Sequence, residues 1–185
     1  NIEDLEYEGE IKPSSEKGIH AACYKLRPEI NFVIHTHQVN ASIVSALGMD
    51  INHVEGENAE IIGSNIPLAS YGLPGTKKLR KGVIEAITRS DAKAAVMAHH
   101  GAVCMGVDYD DAFNVAKRLE DVCEQFVLDR YTALTGIVAD KLTVINDYVV
   151  DRFVKKPSST PEFEPCKSER DGPVFNISVI DGDGT

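Results

Sequence analysis

The chain has 185 residues, 43% apolar and 26% charged, which suits one soluble domain with a real core. A formal net charge of -10 argues against a nucleic-acid surface, which needs clustered Lys and Arg, but leaves room for a small anion held by backbone amides or a metal. No apolar run approaches the ~20 residues of a membrane span, and Asn1-Ile2-Glu3-Asp4 has neither the basic nor the apolar region of a signal peptide.

The chain also lacks an initiator Met and reads as beginning inside a longer protein. Its four cysteines, Cys23, Cys104, Cys123 and Cys166, have no C-x-x-C spacing, so a cysteine-type zinc site is not expected. Cys23 and Cys123 sit on apolar helical patterns and read as buried free thiols, which suits a cytoplasmic setting.

Residues 1–11 form an acidic, partly extended lead-in. Pro13-Ser14-Ser15-Glu16 has the character of a helix start, with Ser as N-cap and Glu in the first turn. Ile19, Ala22, Cys23 and Leu26 continue it at helical spacing, and Pro28 stops it. Residues 31–37 alternate and predict a strand. Val39, Ile43, Ala46 and Leu47 predict a short helix closed by Gly48.

Residues 61–71 hold two short strand candidates around Gly63-Ser64-Asn65, and residues 72–75 a turn. Leu79, Val83, Ala86 and Ile87 mark a further helix, and residues 94–99 a buried strand. Residues 108–134 carry the longest helical stripe, opened by three aspartates that favour the helix dipole. Residues 140–154 predict one more helix, 155–173 a linker or tail rich in Pro, Ser and charge, and 174–180 a final strand. Helices alternate with strands, so the expected class is α/β or α+β.

The sharpest local feature is Ile34-His35-Thr36-His37. Residues two apart on a strand share a face, so two imidazoles converge there. Alone, such a pair is a weak metal signal. Met97-Ala98-His99-His100-Gly101 ends the buried strand. A histidine there either supplies a third ligand or caps the strand. Three protein ligands with an open position describe a catalytic rather than a structural zinc. Glu16 is either part of an ordinary helix start or a carboxylate placed for proton transfer near these imidazoles. The two hydroxyls ahead of it make the helix N-terminus a ready anion site.

Ile11-Lys12-Pro13-Ser14-Ser15-Glu16, His20, Arg27-Pro28, Val33-Ile34-His35-Thr36-His37, Tyr71-Gly72-Leu73-Pro74-Gly75-Thr76 and His99-His100-Gly101 follow one another in order. Together they resemble the class II aldolase/adducin family, and its fuculose-phosphate-cleaving members in particular, from about Lys12 to about Leu134. The resemblance implies a three-layer α/β/α sandwich around a mostly antiparallel sheet. It implies one Zn2+ per chain on His35, His37 and His100, Glu16 as the catalytic acid/base, and Ser14 and Ser15 as contacts to a substrate phosphate. It also implies a homotetramer with active sites between subunits.

The activity so implied is retro-aldol cleavage of a ketose phosphate to dihydroxyacetone phosphate and an aldehyde. A pentulose-phosphate 4-epimerase or a sugar-phosphate dehydratase would use the same zinc. Those epimerases carry Asp where Glu16 stands. A non-enzymatic, adducin-like scaffold would lack the metal histidines that this chain has. Residues 1–154 are expected to form the family domain, without most of its usual N-terminal region, and 155–185 a tail. The family's glycine-rich phosphate loops fall in that missing region. Gly56 stands where the fuculose-phosphate enzymes place a tyrosine donated across the subunit interface, and Tyr148 is the candidate for their C-terminal tyrosine.

Overall fold

The computed structural model describes residues 1–138; the helix expected over 140–154, the tail, the final strand, Tyr148 and Cys166 lie outside them. Helix α1 runs Lys17–Leu26, strand β1 Phe32–Thr36 and helix α2 Val39–Leu47. Strand β2 (Ile51–Asn52), helix α3 (Gly56–Ile62), strand β3 (Asn65–Ile66) and strand β4 (Leu68–Ala69) follow. Helix α4 (Lys77–Thr88), strand β5 (Ala94–Met97), strand β6 (Gly101–Gly106) and helix α5 (Tyr109–Thr135) complete the order.

The main sheet has the order β1-β6-β5-β4, and β2 pairs with β3 separately. β1 and β5 both run antiparallel to β6, whereas β4 runs parallel to β5, so the sheet is mixed. The period-two alternation of the strands divides the core. Ala94, Val96, Ala102 and Cys104 pack with α2, α3 and α5 side chains such as Val44, Ile62 and Leu119. Ala95, Met97, Val103 and Met105 face the opposite layer, with Ile19 and Cys23 of α1 and Leu79, Val83 and Ile87 of α4. This is the expected three-layer sandwich.

Local chemistry explains most boundaries. Thr76 caps α4 by accepting from the Leu79 N–H at 3.2 Å, and Asp108 caps α5 by accepting from the Asp111 N–H at 2.9 Å. Gly48, at φ 70°, ends α2 in the left-handed conformation that glycine adopts without Cβ strain. Cys23, Cys104 and Cys123 are free and buried, and burial raises each thiol's pKa, to about 12 for Cys23 and Cys104.

Three elements differ from the sequence expectation. α1 begins at Lys17 with Glu16 as its N-cap residue, so Ser14 and Ser15 sit in the preceding turn. The Ser14 hydroxyl accepts from the Glu16 N–H at 3.1 Å, which favours this local turn over an earlier helix start. The strand expected over 94–99 stops at Met97, because the chain turns back into β6, a strand outside the sequence expectation. Helix α3 takes in Ile61 and Ile62, part of a segment expected to be extended.

Candidate metal centre

His35 lies within β1, opposite Val103 of β6. His37 is one residue beyond the strand, since the ladder ends at Thr36 paired with Ala102. His100 comes from the tight connection between β5 and β6, where its N–H donates to the Met97 carbonyl at 3.0 Å. The neighbouring β1 and β6 therefore carry the His-x-His pair and the His-His-Gly turn to the same end of the sheet. The ring centroids of His35, His37 and His100 are 4.8, 4.9 and 5.1 Å apart. Each offers one ligand nitrogen, and these atoms lie within 4.8 Å of one another.

Close backbone approach makes this convergence possible. A Cβ on Gly101 would overlap the Thr36 carbonyl oxygen and lie 2.6 Å from His37 Cδ2, so only glycine fits between the two chains. His99 adopts φ 54°, unusual for a residue with a Cβ, and its N–H donates to the Ser45 carbonyl of α2 at 3.1 Å. That strained residue shapes the turn that presents His100. The His99 ring turns to Tyr71, with centroids 5.9 Å apart, and stands outside the three-histidine cluster.

Glu16 is buried against this cluster, its side chain only 7% exposed. Its Oε2 lies 2.7 Å from His35 Nδ1 and 3.7 Å from His100 Nε2. Its Oε1 accepts from the Gly75 N–H at 3.1 Å. Gly75, at φ 74° in the turn before α4, was part of the sequence motif, but its direct hold on Glu16 was not foreseen. His20 on α1 also lies close enough to feel the Glu16 charge; burial lowers its pKa, and Glu16 and the Val33 backbone oppose that shift.

Burial pushes the His35 pKa down from 6.5 to about 4; Glu16 opposes this, while His100, His37 and His20 reinforce it. His35 is therefore neutral at pH 7, and its contact with Glu16 is an N–H donation to the carboxylate. That partner fixes the proton on Nδ1 and leaves the lone pair on Nε2. His35 Nε2 and His100 Nδ1 are both buried without a hydrogen-bond partner. Orphaned ring nitrogens in a converging group of neutral-donor type fit a divalent transition metal, for which imidazole is a preferred ligand. Among the described residues this trio is the group of His, Cys, Asp and Glu side chains with metal-binding spacing.

Ser14 and Ser15 are exposed beside the cluster's carboxylate. Ser15 packs near Gly75, whose added Cβ would meet Ser15 Oγ at 3.5 Å. Ser15, Glu16, Gly75, Thr76, Lys77 and Arg80 line part of a cavity of about 210 Å³. Among the described residues, no helix is long and apolar enough to cross a membrane.

L-fuculose phosphate aldolase of Escherichia coli strain K12 is 33% identical over 149 residues, covering 80% of this chain and 65% of that protein. The 5-methylthioribulose-1-phosphate/5-deoxyribulose-1-phosphate aldolase of Escherichia coli O45:K1 is 36% identical over 115 residues, 62% of this chain and 53% of that one. The chain thus spans less than two thirds of the length of either relative. A solved L-fuculose 1-phosphate aldolase superposes with a TM-score of 0.63 at 24% identity, covering 76% of this chain and 64% of that one, which establishes the shared fold. The model of the class II aldolase and adducin N-terminal domain matches residues 1–127, a stretch that holds all three histidines and Glu16, and on that match the chain belongs to the class II aldolase and adducin family.

Proposed function

We propose that this chain carries the active site of a zinc-dependent aldolase that cleaves a ketose phosphate, by retro-aldol reaction, to dihydroxyacetone phosphate and an aldehyde. The observation that carries the reading is the buried Glu16 carboxylate, 2.7 Å from His35 and facing the three-histidine cluster. A scaffold has no use for a buried carboxylate beside three imidazoles, since burying such groups is costly. Relatives named as aldolases of fuculose phosphate and methylthioribulose phosphate support a sugar phosphate as substrate.

His35, His37 and His100 would hold the metal. When bound there, Zn2+ supplies a Lewis acid that stabilises negative charge developing on the substrate's oxygens. Glu16 moves the proton, and its two hydrogen bonds hold the carboxylate in one orientation while it does so. Neutral His35 keeps its lone pair on the side away from Glu16. Ser14 and Ser15, exposed at the mouth of the site, would orient the substrate through its phosphate.

The reading extends to a cytoplasmic homotetramer, with residues 1–154 as the domain and 155–185 as a tail; the family resemblance supports both. Incubation of the purified chain with a panel of ketose phosphates, with and without Zn2+, tests the activity. Metal-dependent release of dihydroxyacetone phosphate is the expected result. Epimerised product without cleavage would replace the aldolase with an epimerase, and no metal uptake at all would leave a scaffold.

A further inference from the structure

The three histidines are not held equally. His35 is fixed by the register of β1 on β6, and His100 by the hairpin between β5 and β6. His37 lies past the last paired residue and is exposed. Its position depends on what holds the chain immediately after it.

That hold comes from α5. Gln38 is the N-cap residue of α2 but makes no side-chain cap bond of its own. Instead, the Glu120 carboxylate accepts from the Asn40 N–H at 2.8 Å through Oε1 and from the Ala41 N–H at 3.1 Å through Oε2. These two amides have no partner within the helix. The negative charge also meets the positive end of the α2 dipole. Two further bonds fasten the same segment: the Gln38 side chain donates to the Ala116 carbonyl at 2.8 Å, and the Asn40 side chain to the Glu120 carbonyl at 3.4 Å.

We propose that Glu120 is a positioning residue for His37: by capping the start of α2 from a neighbouring helix, it sets where the third imidazole of the metal site stands. The inference rests on the metal-site reading above. Capping by a residue 80 positions away lets α5 do for His37 what sheet register does for His35. On the β6 side the ring already lies so close that a Cβ on Gly101 would meet its Cδ2 at 2.6 Å, so the α2 side is where a loss of anchoring shows.

The test measures metal affinity rather than turnover. Co2+ is titrated into the apo chain, followed by its visible absorption, for wild type, Glu120→Ala, Glu120→Gln and Asp50→Asn. Glu120→Ala should weaken Co2+ binding about 10–100-fold, the usual scale for losing an outer-shell support of a ligand, and shift the absorption of the saturated site. Glu120→Gln keeps the side chain's shape and one acceptor, so it should lose less and keeps the test open if the Ala variant does not fold. Asp50→Asn removes a clamp outside the cluster and should lower the melting temperature without changing Co2+ affinity. Wild-type affinity and spectrum in a folded Glu120→Ala, or in Glu120→Gln where the Ala variant does not fold, would overturn the inference. So would an equal loss in Asp50→Asn, which would mark a general stability effect. A wild-type chain that takes up no Co2+ would overturn the metal-site reading, and this inference with it.

Discussion

Glu16 Oε2 lies 2.7 Å from His35 Nδ1, joining the N-cap residue of α1 to the C-terminal end of β1. The bond ties the proposed proton carrier to a proposed metal ligand, so the two roles can be separated by substitution. Glu16→Gln retains an acceptor for the His35 N–H and removes the acid/base group. It should leave the fold and the bound metal in place and lower kcat about 10²–10⁴-fold. Metal content and single-turnover kinetics on the same sample check this; wild-type kcat would remove Glu16 from the chemistry.

Replacing His35 by Ala should abolish metal uptake. The residue supplies one of three converging nitrogens and the partner that orients Glu16. Elemental analysis after dialysis against Zn2+ reads the outcome directly. Full stoichiometry in the variant would contradict the ligand set.

Gly101→Ala should be damaging for a steric reason. The new methyl would overlap the Thr36 carbonyl oxygen and crowd the His37 ring. Overpacking of this kind costs about 1–3 kcal/mol, and here the strain falls on a proposed ligand. We expect a lower melting temperature together with weaker metal binding. A stable variant with unchanged affinity would show that the strands at this end move apart easily.

Ser14 and Ser15 are exposed, and Ser14 already accepts from the Glu16 N–H. Substituting both by Ala should raise KM for a phosphorylated sugar more than it lowers kcat, because a contact to a non-reacting group acts alike in ground and transition states. Equal kinetics toward phosphorylated and unphosphorylated substrate would argue against a phosphate contact.

Asp50 makes a two-bond clamp to Arg89, at 2.7 and 2.8 Å, and accepts from the Leu68 N–H. The Arg89 guanidinium holds the Asp50 carboxyl below its usual range, with the Leu68 bond assisting and burial opposing. The unfolded chain then binds the proton more readily than the folded one. The clamp's contribution is complete above the ordinary carboxylate pKa of ~3.9 and is lost as pH falls through the lower folded value. Asp50→Asn should lower the melting temperature at neutral pH and flatten its decline in acid. An unchanged acid limb would show that the clamp, half exposed on the Arg89 side, contributes little.

The local sequence determined much of this protein. Helical periodicity marked α2, α4 and α5, and Gly48 and the aspartates from Asp108 placed the end of α2 and the start of α5 closely, whereas the Thr76 cap of α4 emerged only in the structure. The His-x-His pair and the His-His-Gly turn were legible as chemistry, since few residue types bind metal. Tertiary structure decided the rest. Strand β6 and the short β2 gain their stability from pairing with other strands, β6 with β1 and β2 with β3, which no local pattern records. The parallel placement of β4 on β5 follows from the crossover through α4. The hold of Gly75 on Glu16 and of Glu120 on the start of α2 are contacts between residues 59 and 80 positions apart. They exist only because the chain packs both sheet faces, and such packing brings together groups whose sequence neighbours give no sign of the meeting.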